Sequence, residues 1–104
     1  MRSRDVRRVF DVARPRHGTR VVLFLAPGSG LWAVVAARRV GGAVDRNRAK
    51  RILREAWRQV SSQGTGDFDA VLVARQAIRG ATTQDLVSEM TELLPRGNDH
   101  DDPA

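Results

Sequence analysis

The chain contains no cysteine, which excludes a disulfide framework and thiolate chemistry. Its two histidines, His17 and His100, are isolated from each other with no second ligand at metal-binding spacing, so no zinc site is expected and no metal site is read from the sequence. Long apolar runs are missing too. The two longest, residues 21–27 and 31–37, fall far short of the roughly 20 residues needed to span a bilayer. The N-terminus stays charged after Met1-Arg2-Ser3-Arg4 and lacks the apolar core of a signal peptide. No membrane partner is expected, and the cytoplasm is the default compartment. No Ser-His-Asp or Cys-His set can be assembled, and there is no Gly-x-x-x-x-Gly-Lys phosphate loop.

Lysine is nearly absent: 17 of the 18 basic residues are arginine, and only Lys50 is lysine. Arginine binds phosphate bidentately and stacks on bases, whereas lysine acts as a point charge. The charge is also unevenly placed. Residues 1–58 hold 15 basic and 4 acidic side chains, a net of +11, whereas residues 59–104 hold 3 basic and 8 acidic, a net of −5. Solubility requires no such asymmetry; a polyanionic partner for the first half explains it. At 104 residues and 41% hydrophobic, one modest globular domain is expected.

Periodicity orders the chain as helix, strand, strand, helix, strand, helix. Ser3 is read as the cap of a first helix whose stripe is Val6, Val9, Phe10 and Ala13, ended by Pro15. Residues 20–26 and 31–37 read as strands joined by a turn at Pro27-Gly28-Ser29-Gly30, which suggests an antiparallel hairpin. A helix capped by Asp45 or Asn47 runs to about Val60, a strand covers residues 69–74, and Thr82 or Thr83 caps a last helix with Leu86, Met90, Leu93 and Leu94 on its core face. The fold class is therefore α+β, with the second helix between the last two strands forming a β-α-β unit. Residues 1–97 are read as one domain, and residues 98–104 as an acidic, disordered tail.

On a wheel of residues 46–60, Ala49, Ile52, Leu53, Ala56, Trp57 and Val60 share a buried face. Asn47, Lys50, Arg51, Arg54 and Arg58 cluster beside it, Arg48, Glu55 and Gln59 take a third side, and Arg38, Arg39 and Arg46 lie just ahead. A charged helix face is often only solvated. Here, however, Arg46, Arg48, Lys50 and Arg51 crowd a helix N-terminus, where the macrodipole disfavours cations, and Glu55 alone is available to pair with six basic residues. A bound phosphate backbone offsets both costs.

The run Ala37-Arg38-Arg39-Val40-Gly41-Gly42-Ala43-Val44-Asp45-Arg46-Asn47-Arg48-Ala49-Lys50-Arg51-Ile52-Leu53-Arg54-Glu55-Ala56-Trp57-Arg58 resembles the central motif of the bacterial ribonuclease P protein family. That motif is a strand ending in a small residue and two basic ones, then Val-Gly, an Ala-Val step, Arg-Asn-Arg, a Lys-Arg pair and an Arg-Glu pair. The resemblance implies a small two-layer α+β sandwich whose β-α-β crossover has the left hand. It implies contact with the catalytic RNA subunit by Arg38, Arg39, Arg46, Asn47, Arg48, Lys50, Arg51, Arg54 and Arg58. It also implies a cleft between the sheet and the first helix for the single-stranded 5′ leader of precursor tRNA, where Phe10 and Phe24 fall at aromatic positions and Arg7 and Arg20 flank the rim. Hydrolysis then belongs to the RNA with its magnesium ions; the protein has no catalytic residue and binds no cofactor by itself. Val6 stands where the family commonly has an aromatic, and Gly42 replaces a frequent basic residue. The family's usual extension before the first helix is missing, so a start upstream of Met1 is expected.

Other residues carry two readings. Phe10 and Phe24 are core residues on composition alone, and stacking platforms only with the resemblance. Trp57 and Trp32 read as core. Asp67 and Asp69 have the spacing of a carboxylate pair, but acids in a Gly-rich loop are commonplace. The alternative to a ribonuclease P subunit is a non-enzymatic basic RNA-binding protein, such as a ribosome-associated factor. A DNA-binding helix needs a preceding helix and tight turn, and Gly41 follows a strand instead, so DNA is not an expected partner.

Overall fold

The computed structural model describes residues 1–62 and 68–95. The elements are α1 (Ser3–Val12), β1 (Arg14–His17), β2 (Val21–Pro27), β3 (Trp32–Val35), α2 (Ala43–Ser61), β4 (Phe68–Ala74) and α3 (Thr83–Leu93), with 3-10 turns at Arg38–Val40 and Gln76–Ile78. The α+β class expected from periodicity is what forms. The tail expected at residues 98–104, like Asp67, lies outside the described residues.

The four strands lie in the order β1-β2-β4-β3. The β3-α2-β4 segment is the expected β-α-β unit, with β3 parallel to β4. The antiparallel hairpin expected between the second and third strands does not form. Instead β4 inserts between them, antiparallel to β2. The link across β4 must cover two strand spacings, about 10 Å, within the reach of four extended residues at about 3.3 Å each. What holds the arch is distant in sequence: the Asp69 carboxylate of β4 accepts hydrogen bonds from the backbone N–H groups of Ser29, Gly30 and Leu31, at 3.0, 3.1 and 2.9 Å. Gly28 is required beside it, because a Cβ there would sit 2.2 Å from the Asp69 carboxyl carbon.

Three boundaries also differ from the sequence expectation. Pro15 ends α1 as expected, but Arg14–His17 then forms an extra edge strand paired with β2. A charged, proline-containing strand is tolerated only at an edge, where it discourages further pairing. Ser3 is the first helical residue rather than the cap, and the first turn is closed by Asp5 accepting from the Arg2 backbone N–H at 3.2 Å. Helix α2 starts at Ala43 with Gly42 as its cap, so Asp45 sits in the first turn rather than before it. Of the two threonines proposed, Thr82 is the cap of α3, bonded reciprocally with Asp85.

The sheet has two unlike faces. Val21, Leu23 and Leu25 of β2 and Ala70, Leu72 and Ala74 of β4 pack with Ile52, Leu53, Ala56 and Trp57 of α2 and Leu86 and Met90 of α3. The other face carries a smaller cluster in which Val9 of α1, Ala26 and Val71 are buried and Val6, Ala13, Phe24, Val35 and Val73 are only partly covered. Helix α1 thus covers part of this second face. The uncovered remainder is a groove with a sheet as its floor.

Candidate nucleic-acid interface

Helix α2 presents its basic side chains because its apolar arc is taken up by the core. Ala49, Ile52, Leu53, Ala56, Trp57 and Val60 are buried, while Asn47, Arg51, Arg54 and Arg58 are exposed and Arg46, Arg48 and Lys50 are half-buried. The nine positions implied by the resemblance are not equivalent. Arg48 donates to the Ala81 carbonyl at 2.7 Å, tying α2 to the segment that leads into α3. Arg58 pairs with Glu55 at 3.3 Å on the surface. Among the described residues Arg46, Lys50, Arg51 and Arg54 have no ion pair, so their charge is available to a ligand. Arg38 is exposed in the 3-10 turn that leads toward α2, a turn whose Val40 is buried.

The groove brings together Phe10 and Phe24. Their ring centroids are 4.7 Å apart and the planes cross at 85°, an edge-to-face pair. Phe10 is 41% exposed, so it is not core. Phe24 stands on the second sheet face opposite Val71, with Pro15 of β1 on its other side. Two residues along β2 from Phe24 and along β4 from Val71, a cavity of about 670 Å³ lies over Val22 and Val73, and His17, Arg39 and Arg75 stand around it. Arg39, grouped with α2 in the sequence reading, lines this cavity. His17 and Arg75 were missed. Arg75 was counted only as one of three basic residues in an acidic half, yet it directly follows β4 and donates to the Gly18 carbonyl at 3.0 Å. Its one sequence signal is its place at the end of a buried strand.

The proposed rim residues separate. Arg7 is exposed one helical turn ahead of Phe10, on the neighbouring surface. Arg20 does not join it. Its guanidinium pairs with Glu89 of α3 at 3.1 Å, and Glu89 also accepts from the backbone N–H groups of Arg20 and Val21 at 2.8 and 3.1 Å. Gly18 makes room for this, since a Cβ there would lie 2.2 Å from Glu89 Oε2. Arg20 is thus a tie between the start of β2 and α3. Trp57 is core, as expected, and Trp32 packs partly buried against the same core.

Asp69, half of a possible carboxylate pair in the sequence, is a buried strand residue, and its remaining partner is Arg8 of α1. Burial alone would raise its pKa. The N–H of Leu31, the Arg8 guanidinium and the N–H of Ser29 outweigh that and hold it below the ordinary carboxylate value. A depressed folded pKa gives stability that is complete above the unfolded value of about 4 and is lost as pH falls through the folded one. Thermal melts should therefore be flat on this account from neutral pH to about pH 5 and fall below about pH 4, with a shallower acid limb in Asp69→Asn. An unchanged acid limb in that variant would contradict the assignment. Among the described residues no three His, Asp or Glu side chains converge as metal ligands would.

The chain is similar to known proteins along nearly its whole length. The ribonuclease P family model matches residues 1–97. The chain belongs to the ribonuclease P protein family. A "Ribonuclease P protein component" of Herpetosiphon aurantiacus is 31% identical over 97% of this chain and 87% of its own length. That of Chloroflexus aurantiacus is 37% identical over 89% and 72%. The fold agrees with the RNase P protein of Thermotoga maritima, at 22% identity and a TM-score of 0.77 over 90% of this chain and 93% of the other. It also agrees with that of Staphylococcus aureus, at 20% identity and 0.75 over 89% and 88%. Family membership makes the chain a protein subunit of ribonuclease P, an enzyme of tRNA processing, with an RNA as partner. The reading as a ribosome-associated factor is not favoured.

Proposed function

We propose that α2 docks on the ribonuclease P RNA while the groove between α1 and the sheet holds the single-stranded 5′ leader of precursor tRNA. In this reading the RNA carries the hydrolysis with its own magnesium ions. The protein contributes charge neutralisation and substrate placement, and it works in the cytoplasm. The observation that carries the leader assignment is the exposed Phe10 ring set edge-on to Phe24 over an open sheet face. An unpaired base offers a π face to such rings, worth about 1–3 kcal/mol per stacked base. A duplex cannot offer its faces in this way, so the groove selects a single strand over the folded body of a tRNA. Arg7, Arg39 and Arg75 are placed to meet the strand's phosphates. DNA is not proposed as a partner: α2 follows a strand and a 3-10 turn, not the helix and tight turn of a major-groove reader. Among the described residues no helix is long and apolar enough to cross a membrane.

The test is Phe10→Leu and Phe24→Leu, each assayed in the reconstituted holoenzyme. Leucine keeps most of the apolar volume and removes the ring. Affinity for precursor tRNA should fall about fivefold or more, as expected for one lost stacking contact, while affinity for mature tRNA is unchanged. Equal loss for both substrates would show that the groove does not hold the leader.

A further inference from the structure

Helix α1 is one wall of the groove, yet little apolar burial holds it there. It has ten residues, and Val9 is its one fully buried side chain. A helix of that length does not persist alone in water, so its pose depends on what it docks against. Val9, the partly covered Val6 and the Phe10–Phe24 contact fix its position, but so narrow an apolar stripe resists rolling and tilting only weakly, because apolar contact has little direction. The directional contact is polar. The Arg8 guanidinium donates to the Asp69 carboxylate and, at 3.4 Å, to the Pro27 carbonyl. Asp69 is only 2% exposed and is itself immobilised by the three backbone N–H groups of the arch between β2 and β3. Arg8, 42% exposed, is therefore anchored to a fixed point in the sheet. It lies two residues before Phe10 in the same helix, so the bond that stops α1 from rolling also sets where Phe10 stands over Phe24.

We propose that Arg8 and Asp69 are the positioning pair of the leader groove: together they lock the roll of α1 and hold the Phe10–Phe24 pair in place as a stacking platform for a single strand. This rests on the leader reading above. Asp69 touches no ligand in this account, being sealed beneath the arch, and acts through Arg8 and α1.

The experiment uses the reconstituted holoenzyme with Arg8→Gln, Arg8→Lys, Asp69→Asn, the Arg8→Gln/Asp69→Asn pair and Phe10→Leu, measuring affinity for precursor and mature tRNA and for the ribonuclease P RNA. Arg8→Gln and Asp69→Asn should each reduce the precursor-to-mature affinity ratio about fivefold, the scale of a lost stacking contact. Affinity for the RNA subunit should stay unchanged, which a general loss of structure would not produce. The double variant should be no worse than the worse single one, since both break one coupling, and Arg8→Lys should recover part of the ratio. In the free protein, ring-proton chemical shifts of Phe10 and Phe24 should move in Arg8→Gln while those of Trp57 stay. If Asp69→Asn fails to fold, Arg8→Gln and the ring shifts decide alone, because Arg8 lies on the helix surface. A reduced ratio for Phe10→Leu with a normal one for Arg8→Gln would overturn the positioning role and leave the leader groove standing. Loss in Arg8→Gln with a normal ratio in folded Asp69→Asn would make Arg8 a direct RNA contact and also overturn it. A normal ratio in Phe10→Leu itself would remove the leader reading, and this proposal with it.

Discussion

Replacing Lys50, Arg51 and Arg54 together with Gln should weaken binding of the ribonuclease P RNA by about two orders of magnitude at moderate salt while leaving the fold intact. The three side chains rise from one basic side of α2 and have no ion pair among the described residues, so no intramolecular bond is lost with them. Glutamine keeps nearly the same helix propensity. Each phosphate contact releases counterions, contributing about 0.9 to the slope of log affinity against log salt on a duplex, so the triple variant should flatten that slope by about 2 to 3. Arg58→Gln should do less, because Arg58 already pairs with Glu55. Arg48→Gln should instead cost stability, because it removes the bond to the Ala81 carbonyl. A salt titration of the triple variant parallel to that of the parent would place the RNA contacts elsewhere on the chain.

Trp57→Ala should cost about 3–5 kcal/mol of stability, the usual range for emptying an aromatic core site. A domain of this size has a margin of roughly 5–15 kcal/mol, so the variant should be partly unfolded near physiological temperature. Trp57 is 2% exposed and belongs to the core under the sheet, on the same helix as the arginines proposed to meet the RNA. RNA affinity should therefore fall along with stability and return partly when excess RNA refolds the chain by mass action. Trp57→Phe should be much milder. A denaturant midpoint for Trp57→Ala close to that of the parent would show that this ring is not what holds α2 to the sheet.

These two predictions separate what a helix wheel can and cannot say. The wheel distinguishes the buried arc from the basic side without any coordinates, because both repeat with the helical period. It cannot tell that Arg48 and Arg58 have partners while, among the described residues, Lys50, Arg51 and Arg54 have no ion pair. Those partners are Ala81, 33 residues away, and Glu55, which takes Arg58 three residues on rather than Arg51 four residues back as a matter of rotamer.

The same division runs through the molecule. By itself the sequence determined the α+β class, the β-α-β unit, the buried face of α2, a cap at Thr82 or Thr83 and the basic helix whose ordered pattern marks the family, because each depends on near neighbours or on local period. Only the tertiary structure decided that β4 lies between β2 and β3 and that Asp69 closes the arch over it. Only there does Arg20 turn to Glu89 rather than to the groove, and only there do Arg39 and Arg75 meet around one opening. The physical reason is shared. A buried carboxylate or an unpaired guanidinium takes the partner that folding brings within hydrogen-bond reach, and in this chain those partners lie about 40 to 70 residues away.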